Sequence, residues 1–90
     1  MHAGETNDDM LTLALAALGW TVSDAGRAQR LLDVTGLTPA DLRARAAEPD
    51  VLGAVLGFLE AHEPDLIACA ETLGVQPAAL VAARAKLETP

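Results

Sequence analysis

The chain has 90 residues, 51% of them hydrophobic, and a net charge of -7 from six Lys and Arg against 13 Asp and Glu. A chain of that length forms one domain able to bury about 60% of its unfolded surface. So few cations in so acidic a chain disfavour a phosphate-binding surface. The single Cys69 excludes an intrachain disulfide or a thiolate metal cage and predicts a reducing, cytoplasmic setting. Ala and Leu dominate, Tyr is absent, and Val and Ile are few, which is the composition of short, closely packed helices rather than a sheet.

In chain order, residues 1–7 read as a flexible tail and 8–88 as a single helical domain. Thr6 or Asn7 is placed to cap a first helix whose opening turn carries Asp8 and Asp9, the favourable sign at that end. Met10 to Trp20 has the apolar character of an export-signal core, including the step Ala14-Leu15-Ala16. Its flank holds Glu5, Asp8 and Asp9 with no Lys or Arg between them and this run, and the run is too short to cross a bilayer. It reads as a core helix, with Leu11, Ala14, Leu15 and Leu18 on its main face, Leu13, Ala16 and Ala17 behind, and Gly19 closing it.

Ser23 is the natural cap of a second helix to Thr35, with Ala28, Leu31, Leu32 and Thr35 inward and Asp24, Arg27 and Arg30 outward. Gly36 supplies a positive-φ stop, with Leu37 laid over Leu32 as in a Schellman turn. Thr38, Pro39 and Asp41 then start a third helix through a capping box, running to about Ala47 with Asp41 and Arg45 spaced as a pair. A fourth runs from about Asp50 to His62 and is apolar almost all round through Val51, Leu52, Val55, Leu56, Phe58 and Leu59. Leu66, Ile67, Ala70 and Leu73 carry a fifth to Gly74, and a sixth starts at Pro77 with Leu80, Ala83 and Leu87 inward. The turn Gly74 to Leu80 repeats the apolar skeleton of Gly36 to Leu42 without its caps, since Gln76 and Ala79 replace the capping residues.

These elements predict an all-α fold: a compact bundle of about six short helices, arranged as two tandem three-helix units, 8–47 and 49–88, around two central apolar helices, the first and the fourth.

Four stretches carry a family resemblance. They are Ala14-Leu15-Ala16-Ala17-Leu18-Gly19-Trp20, Thr35-Gly36-Leu37-Thr38-Pro39-Ala40-Asp41-Leu42-Arg43, Ala47-Glu48-Pro49, and Val55-Leu56 with Phe58-Leu59. Over nearly the whole chain the sequence resembles a family of short bacterial all-helical proteins catalogued only as a domain of unknown function (DUF). That resemblance implies a small cytoplasmic helical domain and brings no catalytic residues with it.

The residues that could carry chemistry are few. Ser23, Cys69 and the threonines are the possible nucleophiles and His2 and His62 the possible bases, with no triad spacing. His62 with Glu60, Glu63, Asp65 and Cys69 is too mixed a set for a metal, and His62 reads as a solvated residue helping the carbonyls at a helix end. No catalytic, cofactor-binding or metal residue is therefore expected. Ala70, Gly74, Val75 and Leu80 fit a helix-turn-helix, but the helix after it offers Ala78, Ala79, Val81 and Ala82, which cannot read base edges. Arg27, Arg30, Arg43 and Arg45 could form a small basic patch.

Gly53 and Gly57, with Ala61, make a smooth ridge on the fourth helix, suited to packing against Ala14 or Ala17, or to a homodimer seam. Trp20 reads as a core plug, with a half-exposed interface anchor as the alternative. By elimination the sequence points to a non-enzymatic protein-protein interaction or adaptor module of a bacterial cytoplasm. Its partner would be another protein or a second copy, with no membrane and no nucleic acid. Leu13, Ala16, Trp20, Gly53 and Gly57 are its interface candidates. The alternative is a DNA-associated accessory factor with a degenerate helix-turn-helix.

Overall fold

A computed structural model describes residues 3–88, with side chains from Asp9 onward. Among the described residues it has six helices and no strand: α1 (Ala3–Val22), α2 (Ala25–Thr35), α3 (Pro39–Arg45), α4 (Pro49–Glu60), α5 (Glu63–Leu73) and α6 (Pro77–Glu88). The first helix is already formed at Ala3, so Thr6 and Asn7 lie inside it rather than capping it, and residues 3–7 of the expected tail are helical. Residues 1 and 2 of that tail lie outside the described residues.

Gly19 does not end α1, which continues to Val22. A glycine inside a helix costs about 1 kcal/mol relative to Ala, and the next turn outweighs it. Thr21 is fully buried and donates to the Ala17 carbonyl at 2.8 Å, while the Trp20 carbonyl collects three donors: Ser23 N at 3.2 Å, Ser23 Oγ at 2.7 Å and Arg27 Nη2 at 2.7 Å. Ser23 thus finishes α1, and the cap of α2 passes to Asp24, whose Oδ2 accepts from Arg27 N at 2.9 Å. This corrects the expectation that Ser23 caps α2.

The turn into α3 follows the sequence closely. Gly36 has φ 78° and donates its N–H to the Leu32 carbonyl at 2.9 Å. Leu37 N goes to Thr35 Oγ1 at 3.2 Å instead of a helix carbonyl, so this is the simpler left-handed cap. The full Schellman pair occurs at Gly74, where Val75 N reaches Ala70 O at 3.0 Å and Gly74 N reaches Glu71 O at 3.2 Å. Thr38 and Asp41 close the capping box, Asp41 N to Thr38 Oγ1 at 3.1 Å and Thr38 N to Asp41 Oδ2 at 2.9 Å. The Thr38 backbone N–H foremost, and after it the Thr38 hydroxyl, hold the Asp41 carboxyl below its ordinary value.

The core gathers around α4. Leu52, Val55, Leu56 and Leu59 are wholly inaccessible there, and Ala14, Ala17, Leu31, Cys69, Leu80 and Ala83 reach them from α1, α2, α5 and α6. The first and fourth helices pack on each other, as expected. They are not equally central, however: α4 is enclosed, whereas α1 buries only the face holding Ala14, Ala17, Leu18 and Thr21, and leaves Thr12, Leu15, Ala16, Gly19 and Val22 outside. The molecule measures 39 × 27 × 18 Å. Its shortest dimension admits two layers of helices packed about 10 Å apart, and no third layer covers α1.

The helices that follow the two similar turns pack differently. The seven-residue α3 has no buried residue and sits at the edge, while the twelve-residue α6 buries Leu80 and Ala83 and packs across α4, α1 and α5. The shared turn skeleton therefore does not extend to shared packing.

Among the described residues no single helix is long and apolar enough to cross a membrane; α5 and α6 would qualify only as a pair, and they meet at a 100° bend.

Candidate interaction face

Where α3 swings away from the core it leaves an open groove of about 370 Å³ between α1, α2 and α3, lined by Leu18, Val22, Ala28, Leu32, Pro39, Leu42 and Arg43. Three local decisions produce it. The continuation of α1 to Val22 raises one wall, the Gly36 stop turns the chain at the far end of α2, and the capping box fixes where α3 starts. The wall is apolar except for Arg43 on its rim.

Arg43 differs from the other arginines. Arg27 lies on the Trp20 ring at 3.7 Å from its centroid, and Arg30 pairs with Asp65 at 3.2 Å. Arg45 holds Glu48 at 2.9 Å, Asp50 at 2.8 Å and Asp41 at 3.8 Å, so the pair expected within α3 is its weakest contact. Glu48 foremost raises the Arg45 pKa. Arg84 bridges Glu60 and Glu88, each at 3.1 Å. Among the described residues Arg43 is exposed and forms no ion pair. The basic patch anticipated from Arg27, Arg30, Arg43 and Arg45 is thereby neutralised at Arg30 and Arg45, and Arg27 is held against Trp20.

The interface candidates are not brought together. Ala16 is exposed on α1, Leu13 is half-buried against the core, and Trp20 is half-buried beneath Arg27. Gly53 and Gly57 face α6 rather than α1: a Cβ at Gly53 would meet Glu88 Cγ and Oε2 at 3.4 Å, and one at Gly57 would meet Arg84 Cζ and Nε at 3.4 Å. The ridge is roofed by the Arg84–Glu88 pair, which corrects both the expected packing against Ala14 or Ala17 and the homodimer seam along it. The sequence signal for the groove was Leu32 and Leu42 flanking the turn; Val22 was hidden by the assumption that Gly19 ends α1.

Among the described residues the reactive side chains are bonded or buried, and His2 lies outside them. Ser23 Oγ donates to the Trp20 carbonyl and Arg27 shares that hydroxyl at 3.1 Å. His62 does not serve the carbonyls of α4; its Nδ1 lies 3.0 Å from Asp65 Oδ2, the same oxygen that Arg30 holds. Burial pushes the Cys69 thiol up to about 11, opposed in part by the Arg27 charge. The described residues contain no group of three His, Cys, Asp or Glu side chains placed to hold a metal.

Fold and groove together define a small all-α protein with one enclosed helix, one half-covered helix and an open apolar groove. The chain belongs to the family described as Protein of unknown function (DUF3572), which matches residues 7–90. No curated protein and no solved structure matches it.

Proposed function

We propose that the protein is a non-enzymatic protein-interaction module of a bacterial cytoplasm, and that the groove between α1, α2 and α3 is its docking face. The observation that carries this reading is an open apolar groove of about 370 Å³ with an arginine on its rim that forms no ion pair among the described residues. Helix-in-groove recognition uses such a surface: apolar side chains of a partner fill the trough and a carboxylate reaches the cation. A buried thiol with a raised pKa and a serine committed to a helix end support the absence of nucleophilic chemistry. DNA association is the weaker reading, because Arg27, Arg30 and Arg45 are already engaged and the net charge is -7.

Val22 is 40% exposed and lines the groove, so Val22→Glu places a charge in the trough with little effect on the core. Affinity purification of the full chain from its own cells is expected to retain a partner with the wild type and lose it with this variant. Equal retention would remove the groove from the function.

A further inference from the structure

The wall of the groove that α3 forms is attached differently from the walls formed by α1 and α2. Each of the other five helices buries at least one side chain, whereas α3 buries none and meets the body through Leu42 and Ala46, which the core covers only in part. Its remaining ties are polar and largely exposed. Arg45 crosses to Asp50 at the start of α4 at 2.8 Å and to Glu48 in the intervening turn at 2.9 Å, with the Asp50 side chain 70% exposed. At the other end the chain enters α3 through Gly36, with φ 78° and no atom beyond its chain neighbours within 4 Å of the place a Cβ would take. An unpacked glycine next to a helix with little buried apolar contact is where a fold opens at low cost.

Pro39, Leu42 and Arg43 of α3 are three of the seven residues that line the groove, and Arg43 is its one charged member. Moving α3 away removes a wall and the cation together, and leaves Leu18, Val22, Ala28 and Leu32 as an apolar strip. We infer, resting on the docking role of the groove, that α3 is a hinged wall: it opens about Gly36 while the core around α4 stays folded, and the groove holds an occupant only when α3 is closed. The capping box joins Thr38 to Asp41, so it stabilises α3 without attaching it to the body. Leu42, Ala46 and the Arg45 contacts set the balance between open and closed. A helix of seven residues is too short to persist away from the body, so opening and unwinding are one event that its own amides report. An occupant that touches Leu42 and Arg43 binds the closed form and shifts the balance towards it.

Hydrogen exchange of the full chain in a series of urea concentrations below unfolding tests this. The amides of 42–45 are expected to exchange faster than those of 52–59 and at a rate nearly independent of urea, the mark of a local opening. Arg45→Gln and Asp50→Asn remove the same tie from its two sides and change the net charge in opposite directions. An exposed ion pair is worth a factor of up to about five in such a balance, so both variants are expected to speed exchange at 42–45 within that factor, with 52–59 nearly unchanged. Both are also expected to retain less of the protein that co-purifies with the wild type, whereas a long-range charge effect on a partner would move them oppositely. Exchange at 42–45 in step with α4 overturns the hinge and leaves the groove reading standing. Two variants that exchange at the wild-type rate, or that move retention in opposite directions, overturn it as well. Equal retention by Val22→Glu and the wild type removes the groove reading and the control exerted on it, whatever the exchange at 42–45.

Discussion

Arg27 is the side chain that most local structure depends on. Its guanidinium lies over Trp20, donates to the Trp20 carbonyl and to Ser23 Oγ, and its backbone N–H satisfies the Asp24 cap. One residue therefore joins the end of α1 to the start of α2. The glycines of α4 play a smaller part than their spacing suggests. The nearest atoms a Cβ at Gly57 would meet belong to the end of the Arg84 side chain at 3.4 Å, an ordinary contact. Alanine in a helix interior is favoured over glycine by about 1 kcal/mol, so Gly57→Ala is expected to stabilise the protein by roughly 0.5–1 kcal/mol in urea unfolding. A loss of stability would show that α6 presses on α4 more closely than these distances allow.

At the scale of elements, α3 depends on its ends more than on its packing. It has seven residues and none is buried, so the capping box and the Arg45 contacts with Glu48 and Asp50 hold it. Removing a threonine cap costs about 1 kcal/mol, and in Thr38→Ala that loss is expected to show as faster amide exchange across 39–45 with the core amides unchanged. The pH dependence has a definite sign. The Asp41 carboxyl is lowered from 3.8 by its bonds to Thr38, so its contribution is complete above the ordinary value and is lost as pH falls below 3.8 through the folded value. Titrating the Thr38 and Asp41 amides by NMR checks this; opening of the box well above that range would contradict it.

The same elements explain what could be read in advance. Gly36, Thr38, Pro39 and Asp41 act within one turn of chain, and their geometry follows from residue type alone. The choice between Ser23 and Asp24 as a cap depended on where α1 stops, and that depended on Thr21 being buried by other helices. In α1, apolar residues occur on every side, so nothing in its pattern selects Ala14, Ala17 and Leu18 for the interior and Leu15 for the exterior. The roof over Gly53 and Gly57 comes from residues 84 and 88, a contact distant in sequence and invisible to local spacing. The groove lies between three elements and was legible only as Leu32 and Leu42 flanking a turn.

For the whole molecule, the enclosure of α4 concentrates stability in one helix. Leu52, Leu56 and Leu59 are inaccessible, and their neighbours come from α1, α2, α5 and α6, so a void beside any of them weakens several interfaces together. Deleting a buried leucine to alanine costs about 2–5 kcal/mol, while stability runs at roughly 0.05–0.15 kcal/mol per residue, which for a chain of 90 residues amounts to about 5–13 kcal/mol in total. Leu56→Ala thus removes a large share of the margin, and thermal melting followed by circular dichroism is expected to show a loss of many degrees in one cooperative step. Leu15→Ala, on the uncovered side of α1, takes away no core contact and is expected to leave the melt nearly unchanged. If Leu15→Ala were as costly as Leu56→Ala, α1 would have to be covered on both faces, and neither the groove nor the outer face of α1 would be free for a partner.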